Sequence, residues 1–99
     1  MLLRERETPK GLLVSVCDPD CLGETYTDGD ISLEVTEEFY AGEDAVDAEA
    51  AAVVDALQGA TVGNLVGEES VGVAVDAGII DADRVLDIDG VEHAQLLWL

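Results

Sequence analysis

The chain has 99 residues, enough for one domain core and too few for two. It sets 23 acidic residues against 4 Lys and Arg, which gives a formal net charge of −19. This charge argues against binding to nucleic acid or to an anionic membrane by electrostatics alone, because both depend on clustered Lys and Arg, and we expect neither a DNA nor a membrane partner. Hydrophobic residues make up 48% and aromatic residues 4%, which indicates a folded chain with an aliphatic core.

The charges are unevenly placed along the chain. Arg4, Arg6 and Lys10 precede residue 11, and Arg84 alone stands against 21 acidic residues in 11–99 (23 minus Glu5 and Glu7). We therefore divide the chain into a basic N-terminal arm, 1–10, whose order the sequence leaves open, and one domain, 11–99. Self-repulsion of this size opposes folding unless salt screens it, and at about 1 M salt the Debye length is only about 3 Å. The acidity is thus interpreted as adaptation to a salt-rich cytoplasm, as in an extreme halophile.

The apolar runs and the cysteines indicate where the protein is located and the state of its thiols. There is no run of 18 apolar residues, and the charged start Met1–Glu7 is unlike a secretory signal, so we expect a cytoplasmic protein. Two cysteines, Cys17 and Cys21, are too few for a disulfide scaffold and are expected to be free thiols.

The first half of the domain has strand character. The β-rich run 12–17 ends at the turn-forming Asp18-Pro19-Asp20. Residues 24–27 and 31–35 flank Asp28-Gly29, a pair suited to the positive φ angles of a tight hairpin. These patterns predict a strand followed by a β-hairpin.

Helical periodicity follows. Apolar residues of 44–58 recur at offsets 0, 4, 7, 8 and 11 from Val46, the stripe of an amphipathic helix. We predict a second, short helix over 60–66 and a third over 68–77, with glycines at the helix ends. Gly72 weakens the third helix locally, by about 1 kcal/mol relative to Ala, and is also expected to permit close packing.

Strand character returns near the end, with 84–88 and 91–99 flanking the turn pair Asp89-Gly90. The predicted order is β-β-β-α-α-α-β-β. The fold class is therefore α+β, a mostly antiparallel sheet with two or three helices packed on one face.

Four separated blocks are similar to a known family. They are Cys17-Asp18 with Leu22-Gly23, then 39–42 (Phe-Tyr-Ala-Gly), 64–68 (Asn-Leu-Val-Gly-Glu) and 90–95 (Gly-Val-Glu-His-Ala-Gln). Over 11–97 the chain resembles the archaeal domain-of-unknown-function 424 family, in a haloarchaeal-type member. Glu92 occupies the position at which the pattern of that family has proline.

The resemblance implies a one-domain α+β protein with no established enzyme activity and a place near translation, as an RNA-binding protein. High salt weakens phosphate contacts, so RNA recognition would depend on shape, stacking or a protein partner. The leading hypothesis is a non-catalytic binding module for RNA or a translation component. The alternative is a structural subunit of a larger complex.

The candidate binding residues are the uncharged polar side chains inside the resembling blocks: Asn64, His93, Gln95 and Tyr40. His93 is the sole histidine, and its alternative role is an imidazole satisfied at the edge of a sheet. Asn64 either caps a helix or reads a ligand. Tyr40 and Trp98 have polar tips and flat rings suited to stacking on a base.

Catalytic and metal sites are weaker hypotheses. A hydrolase would need Cys17 or Cys21 beside His93, and a zinc site would combine the same three residues with a carboxylate across a Cys-x3-Cys spacing wider than usual. Carboxylate pairs such as Asp18 and Asp20 fit turns and helix caps better than a calcium loop. We therefore predict no catalytic residues, no metal and no cofactor.

Overall fold

The protein was analysed as a computed structural model, which describes residues 1–97. Eight strands are present: β1 (Leu2–Thr8), β2 (Gly11–Cys17), β3 (Thr25–Asp28), β4 (Ile31–Glu34), β5 (Val46–Asp47), β6 (Val62–Val66), β7 (Leu86–Ile88) and β8 (Val91–Leu97). The helices are α1 (Glu37–Tyr40), α2 (Ala50–Gln58) and α3 (Glu68–Asp76), with short 3-10 turns at Pro19–Cys21 and Ala82–Arg84. No helix in the described part of the chain is long and apolar enough to cross a membrane.

Six strands form one sheet in the order β5-β1-β2-β6-β8-β7, and β3 and β4 form a separate hairpin. Neighbouring strands of the sheet are antiparallel except for the central pair, β2 and β6. The α+β class with a mostly antiparallel sheet is confirmed.

The main core lies between the sheet and the helices α2 and α3. Its central side chains are fully buried: Val14, Val16, Val53, Leu57, Leu65 and Val71. Because α2 and α3 turn their apolar stripes toward the same side, they cover one face of the sheet, which we call the helix face. The other face is called the open face.

One end of the open face carries a second, smaller core. The β3–β4 hairpin and α1 cover it, and its buried members are Cys17, Cys21, Val35, Tyr40 and Val66. The rest of the open face, toward the other end of the strands, is where polar side chains collect.

The predicted helix over 60–66 is wrong, because Val62–Val66 is the strand β6 at the centre of the sheet. A short apolar run bounded by glycines fits a central strand as well as a buried helix. Gly63 is needed there by packing, since a Cβ would lie 3.2 Å from Leu96 and 3.3 Å from Leu57. The helix predicted from residue 44 begins only at Ala50, because Val46–Asp47 pairs with β1 as β5.

The basic N-terminal segment is a strand. β1 pairs with β2 along its whole length, from Leu2 opposite Cys17 to Thr8 opposite Gly11. Both predicted hairpins are present, although the first turns at Gly29-Asp30 and not at Asp28-Gly29, because Asp28 pairs with Ile31. In the second hairpin, Asp89-Gly90 forms the turn with φ of 54° and 84°. These angles suit the tight two-residue turns that join twisted antiparallel strands.

Candidate functional site

A row of polar side chains crosses the open face at right angles to the strands. Side chains of directly paired residues point to the same side of a sheet. The registers pair Arg4 with Ser15, Ser15 with Asn64, and Asn64 with Gln95. The row Arg4–Ser15–Asn64–Gln95 is therefore a product of strand register, from four segments distant in sequence.

Charge is sorted between the two faces. In the four longest strands of the sheet, β1, β2, β6 and β8, the acidic residues are Glu5, Glu7 and Glu92. Strand alternation places these three on the side opposite Arg4, Arg6 and the polar row. Within these four strands the open face thus carries no carboxylate, although the chain as a whole carries −19.

Asn64 and Gln95 are joined by a hydrogen bond in which Gln95 Nε2 donates to Asn64 Oδ1 at 3.0 Å. Asn64 stands in the middle of β6, so the helix-cap alternative is wrong. The bond leaves Gln95 Oε1 as an acceptor and Asn64 Nδ2 as a donor, neither with a side-chain partner in residues 1–97. An adjacent donor and acceptor of this kind match the edge of a nucleobase.

His93 lies beside Gln95 on the same face of β8 and is 8% exposed. Its Nδ1 is 2.9 Å from the carbonyl oxygen of Leu65. A carbonyl only accepts, so Nδ1 carries a proton, and in the neutral imidazole Nε2 is left as an acceptor. A backbone carbonyl thus holds the ring, as the alternative role of His93 predicts, but His93 is paired with Val66 and Leu86 on its two sides and does not lie at the edge of the sheet.

His93 and Gln95 line one depression of about 300 Å³ together with Arg84, Leu86 and Ala94. The sequence predicted His93, Gln95 and Asn64 as binding residues, and the structure brings all three together. Arg84 and Leu86 were missed, although Arg84 is the only basic residue after Lys10. Leu86 is 50% exposed and forms an apolar wall.

Tyr40 does not join this group. It is 3% exposed, packs in the second core, and meets Phe39 edge-on with ring centroids 4.9 Å apart. Burial raises the pKa of its hydroxyl, and the nearby Cys17 raises this pKa further. A ring sealed in this way cannot stack on a ligand, and Trp98 lies outside the described residues.

The two thiols are both free and buried in the second core. Burial raises the pKa of Cys17 to about 12 and also raises that of Cys21. Cys17 and His93 pair with Val66 from opposite sides, so they are about 10 Å apart by strand spacing. Nucleophilic catalysis needs a thiolate beside its base, and this arrangement offers neither.

The Asp18 carboxylate is occupied at the start of α3. It accepts hydrogen bonds from the backbone N–H of Glu69 at 3.0 Å and of Ser70 at 2.8 Å, and from the Ser70 hydroxyl at 2.7 Å. A second depression, of about 600 Å³, adjoins it and is lined mostly by carboxylates. No group of three or more His, Cys, Asp and Glu positioned to hold a metal ion occurs within residues 1–97.

Comparison with known proteins gives two matches. The profile of a family described as a protein of unknown function, DUF424, matches residues 5–99. The crystal structure of an uncharacterized conserved protein from Methanopyrus kandleri is similar at 28% sequence identity and a TM-score of 0.75, covering 96% of this chain and 88% of that one. No curated protein matches.

Proposed function

The chain belongs to the DUF424 family of proteins of unknown function, and within it we propose that this protein is a non-catalytic binding module for single-stranded RNA near the translation apparatus. The observation that carries the proposal is the convergence of His93, Gln95 and Arg84 at one depression, with Asn64 hydrogen-bonded to Gln95 beside it. These groups bind and orient a ligand, and none is arranged to react with it.

An unpaired base enters the depression beside Leu86, with its flat face against that side chain. Its polar edge meets Gln95 Oε1 and Asn64 Nδ2, whose mutual hydrogen bond fixes both amides before the ligand arrives. His93 Nε2 accepts one further hydrogen bond. Preorganised polar groups of this kind favour binding, because little conformational entropy is lost when the ligand arrives.

Arg84 supplies the single positive charge at the depression and contacts a phosphate or stacks on the base. Recognition through hydrogen bonds and one phosphate predicts a shallow salt dependence. Each phosphate contact to a single strand contributes a slope of about −0.7 in log K against log salt. Binding of this type persists at the high salt to which the acidic surface is adapted, in a haloarchaeal cytoplasm.

The test is fluorescence anisotropy of labelled RNA hexamers of mixed sequence, and sedimentation with ribosomes, at about 2 M potassium chloride, where charge is screened. We expect Asn64→Ala, His93→Ala and Gln95→Ala each to weaken binding about tenfold, equivalent to about 1.4 kcal/mol. Gln58→Ala is the matched control, since it removes an exposed amide from α2, on the helix face.

Equal affinity of the three variants and the control would show that the depression is not the site. Absence of binding by the unaltered protein, to both hexamers and ribosomes, would end the proposal. DNA hexamers of the same sequence test whether the 2′-hydroxyl contributes, and we expect weaker binding to DNA.

A further inference from the structure

One edge of the sheet is only partly covered. β7 pairs with only the first three residues of β8, Val91 to His93, and this pairing ends at Leu86 opposite His93. The remaining residues, 94–97, have β6 on one side and no strand on the other within residues 1–97. β8 therefore presents a four-residue open edge.

The hydrogen-bond pattern identifies the backbone groups on this edge. The N–H of Gly67 donates to the carbonyl of Glu92 at 2.8 Å, so this pair is hydrogen-bonded between β6 and β8. Along an antiparallel ladder, hydrogen-bonded and non-hydrogen-bonded residue pairs alternate. Counting from Gly67 and Glu92, Asn64–Gln95 and Val62–Leu97 are non-hydrogen-bonded pairs. The N–H and C=O groups of Gln95 and Leu97 consequently point away from β6, to the open edge.

Two depressions flank this edge, one on each face of the sheet. On the helix face, a depression of about 290 Å³ is lined by Ile79, Ile80 and Leu96 together with the charged Asp81 and Arg84. On the open face lies the depression of His93 and Gln95, and Arg84 lines both. Successive side chains of an added strand point alternately to the two faces, so each depression takes every second residue.

The opposite edge of the sheet is built differently. β1 carries the charged run Arg4 to Glu7, and charged side chains on an edge strand hinder pairing with another chain. Residues 93–97 of β8 carry no Lys, Arg, Asp or Glu, and Leu97 is 62% exposed. The edge of β8 lacks the usual protection against pairing.

We propose that the open edge of β8 binds an extended segment of a partner protein, which adds as a further strand beyond Ala94–Leu97. Its residues alternate between aliphatic side chains, which enter the depression at Ile79 and Ile80, and uncharged polar side chains, which face Gln95. Its flanks are basic, because the exposed Asp81 lines the depression beside the edge and the chain carries −19. A second copy of the chain would bring the same negative charge and is disfavoured. The proposal does not require that the protein binds RNA, but both ligands use the depression at His93 and Gln95 and would compete for it.

The probe is the synthetic peptide Lys-Lys-Val-Thr-Val-Thr-Val-Lys-Lys, at about 1 M potassium chloride to keep the chain folded while limiting nonspecific charge attraction. Amide hydrogen exchange followed by NMR reads out the edge directly. We expect saturating peptide to slow exchange of the Gln95 and Leu97 amides at least tenfold, while the already bonded amides of β6 change little. Methylating alternate peptide nitrogens, which removes their N–H groups, should abolish the protection.

A variant pair separates the edge from general effects of added charge. Leu97→Lys places a charge on the open edge and should weaken peptide binding about tenfold, whereas Val46→Lys, at a similarly exposed position on β5, should leave it unchanged. Protection by a peptide with the valines and threonines in separate blocks, or no protection at millimolar peptide, would overturn the proposal. Protection of the same amides by rising protein concentration alone would assign the edge to a second copy, and protection by an RNA hexamer alone would assign it to RNA. Either result would equally overturn the proposal.

Discussion

Ser70 donates a hydrogen bond from its hydroxyl to Oδ1 of Asp18 at 2.7 Å, which joins the first turn of α3 to the end of β2. Helices begin with unsatisfied N–H groups that a side chain normally caps from the preceding residue. Here the preceding residue is Gly67, which has no side chain, and the capping carboxylate comes from a residue 52 positions away from Ser70. The cap is therefore also a tertiary contact.

Removing this cap should destabilise the fold. We expect Asp18→Ala to lower the free energy of unfolding by about 1–3 kcal/mol, because it leaves two backbone N–H groups and a buried hydroxyl without their acceptor. Urea denaturation at constant salt measures the change. Asp20→Ala is the control, since this exposed side chain makes no hydrogen bond within residues 1–97, and an equal effect there would refute the cap.

Two serines are completely buried, and they should respond oppositely to the same substitution. The hydroxyl of Ser15 has no hydrogen-bond partner in the described chain, whereas that of Ser70 bonds to Asp18. Ser15→Ala should leave stability unchanged or raise it by up to about 1 kcal/mol, and Ser70→Ala should lower it by about 1–2 kcal/mol. Thermal unfolding of both variants checks the difference, which would be absent if Ser15 had a partner of its own.

Gly67 precedes α3 and Gly72 lies within it, and only the first position requires a glycine. Gly67 has φ of 108°, and a Cβ there would overlap the Asp18 carboxylate. At Gly72 a Cβ would meet nothing within 4 Å, so the expected close packing is absent. Gly72→Ala should stabilise the protein by about 0.5–1 kcal/mol through helix propensity, and Gly67→Ala should destabilise it by more than that. A loss of stability in Gly72→Ala would contradict this account.

Stability should fall above pH 9 because of the buried thiols. In the unfolded chain Cys17 loses its proton near pH 9.0, while the folded chain keeps it until about 12. The folded state therefore binds more protons between these values, and the free energy of unfolding decreases with pH by about 1.36 kcal/mol per unit for each such thiol. Denaturation between pH 8 and 10 should show a smaller slope in Cys17→Ala, and an unchanged slope would exclude this cause.

Salt should stabilise the protein strongly. Against 23 acidic residues, the described residues form two ion pairs, one between the N-terminal ammonium and Asp47 and one between Arg4 and Asp44. Nearly all carboxylates thus repel one another without a partner, and screening relieves that repulsion. Circular dichroism in increasing potassium chloride should show partial unfolding in dilute buffer and native signal near about 1 M. A native signal throughout would count against the halophilic interpretation.

The sequence predicts well those elements whose signals are local. The Asp89-Gly90 turn and the third helix at Glu68 are present as predicted, and the first hairpin turns at Gly29-Asp30, one residue later than predicted, because turn chemistry and helix starts depend on neighbouring residues. The segment 60–66 was predicted incorrectly, because a strand buried between two others shows no alternation to distinguish it from a helix. What makes it a strand is its pairing with β2 and β8, which no local pattern records.

The residues of the candidate site could likewise be predicted from the sequence only in part. Asn64, His93 and Gln95 could be singled out because uncharged polar residues are informative in a chain so rich in carboxylates. Their convergence depends on the register of β6 and β8. Arg84 reaches the same depression because it lies just before β7, which pairs with β8. The alternation Arg4-Glu5-Arg6-Glu7 is a readable strand signal that sorts the charges by face, and it predicts β1 better than the excess of basic residues predicts a separate arm.

The central parallel pair also bears on how quickly the native state is reached. Val16 of β2 and Leu65 of β6 are register partners 49 positions apart (65 minus 16), whereas β1 meets β2 through a two-residue turn. Closing so long a loop costs entropy before any contact compensates it. We therefore expect the N-terminal hairpin to form early and the arrival of β6 beside it to set the folding rate.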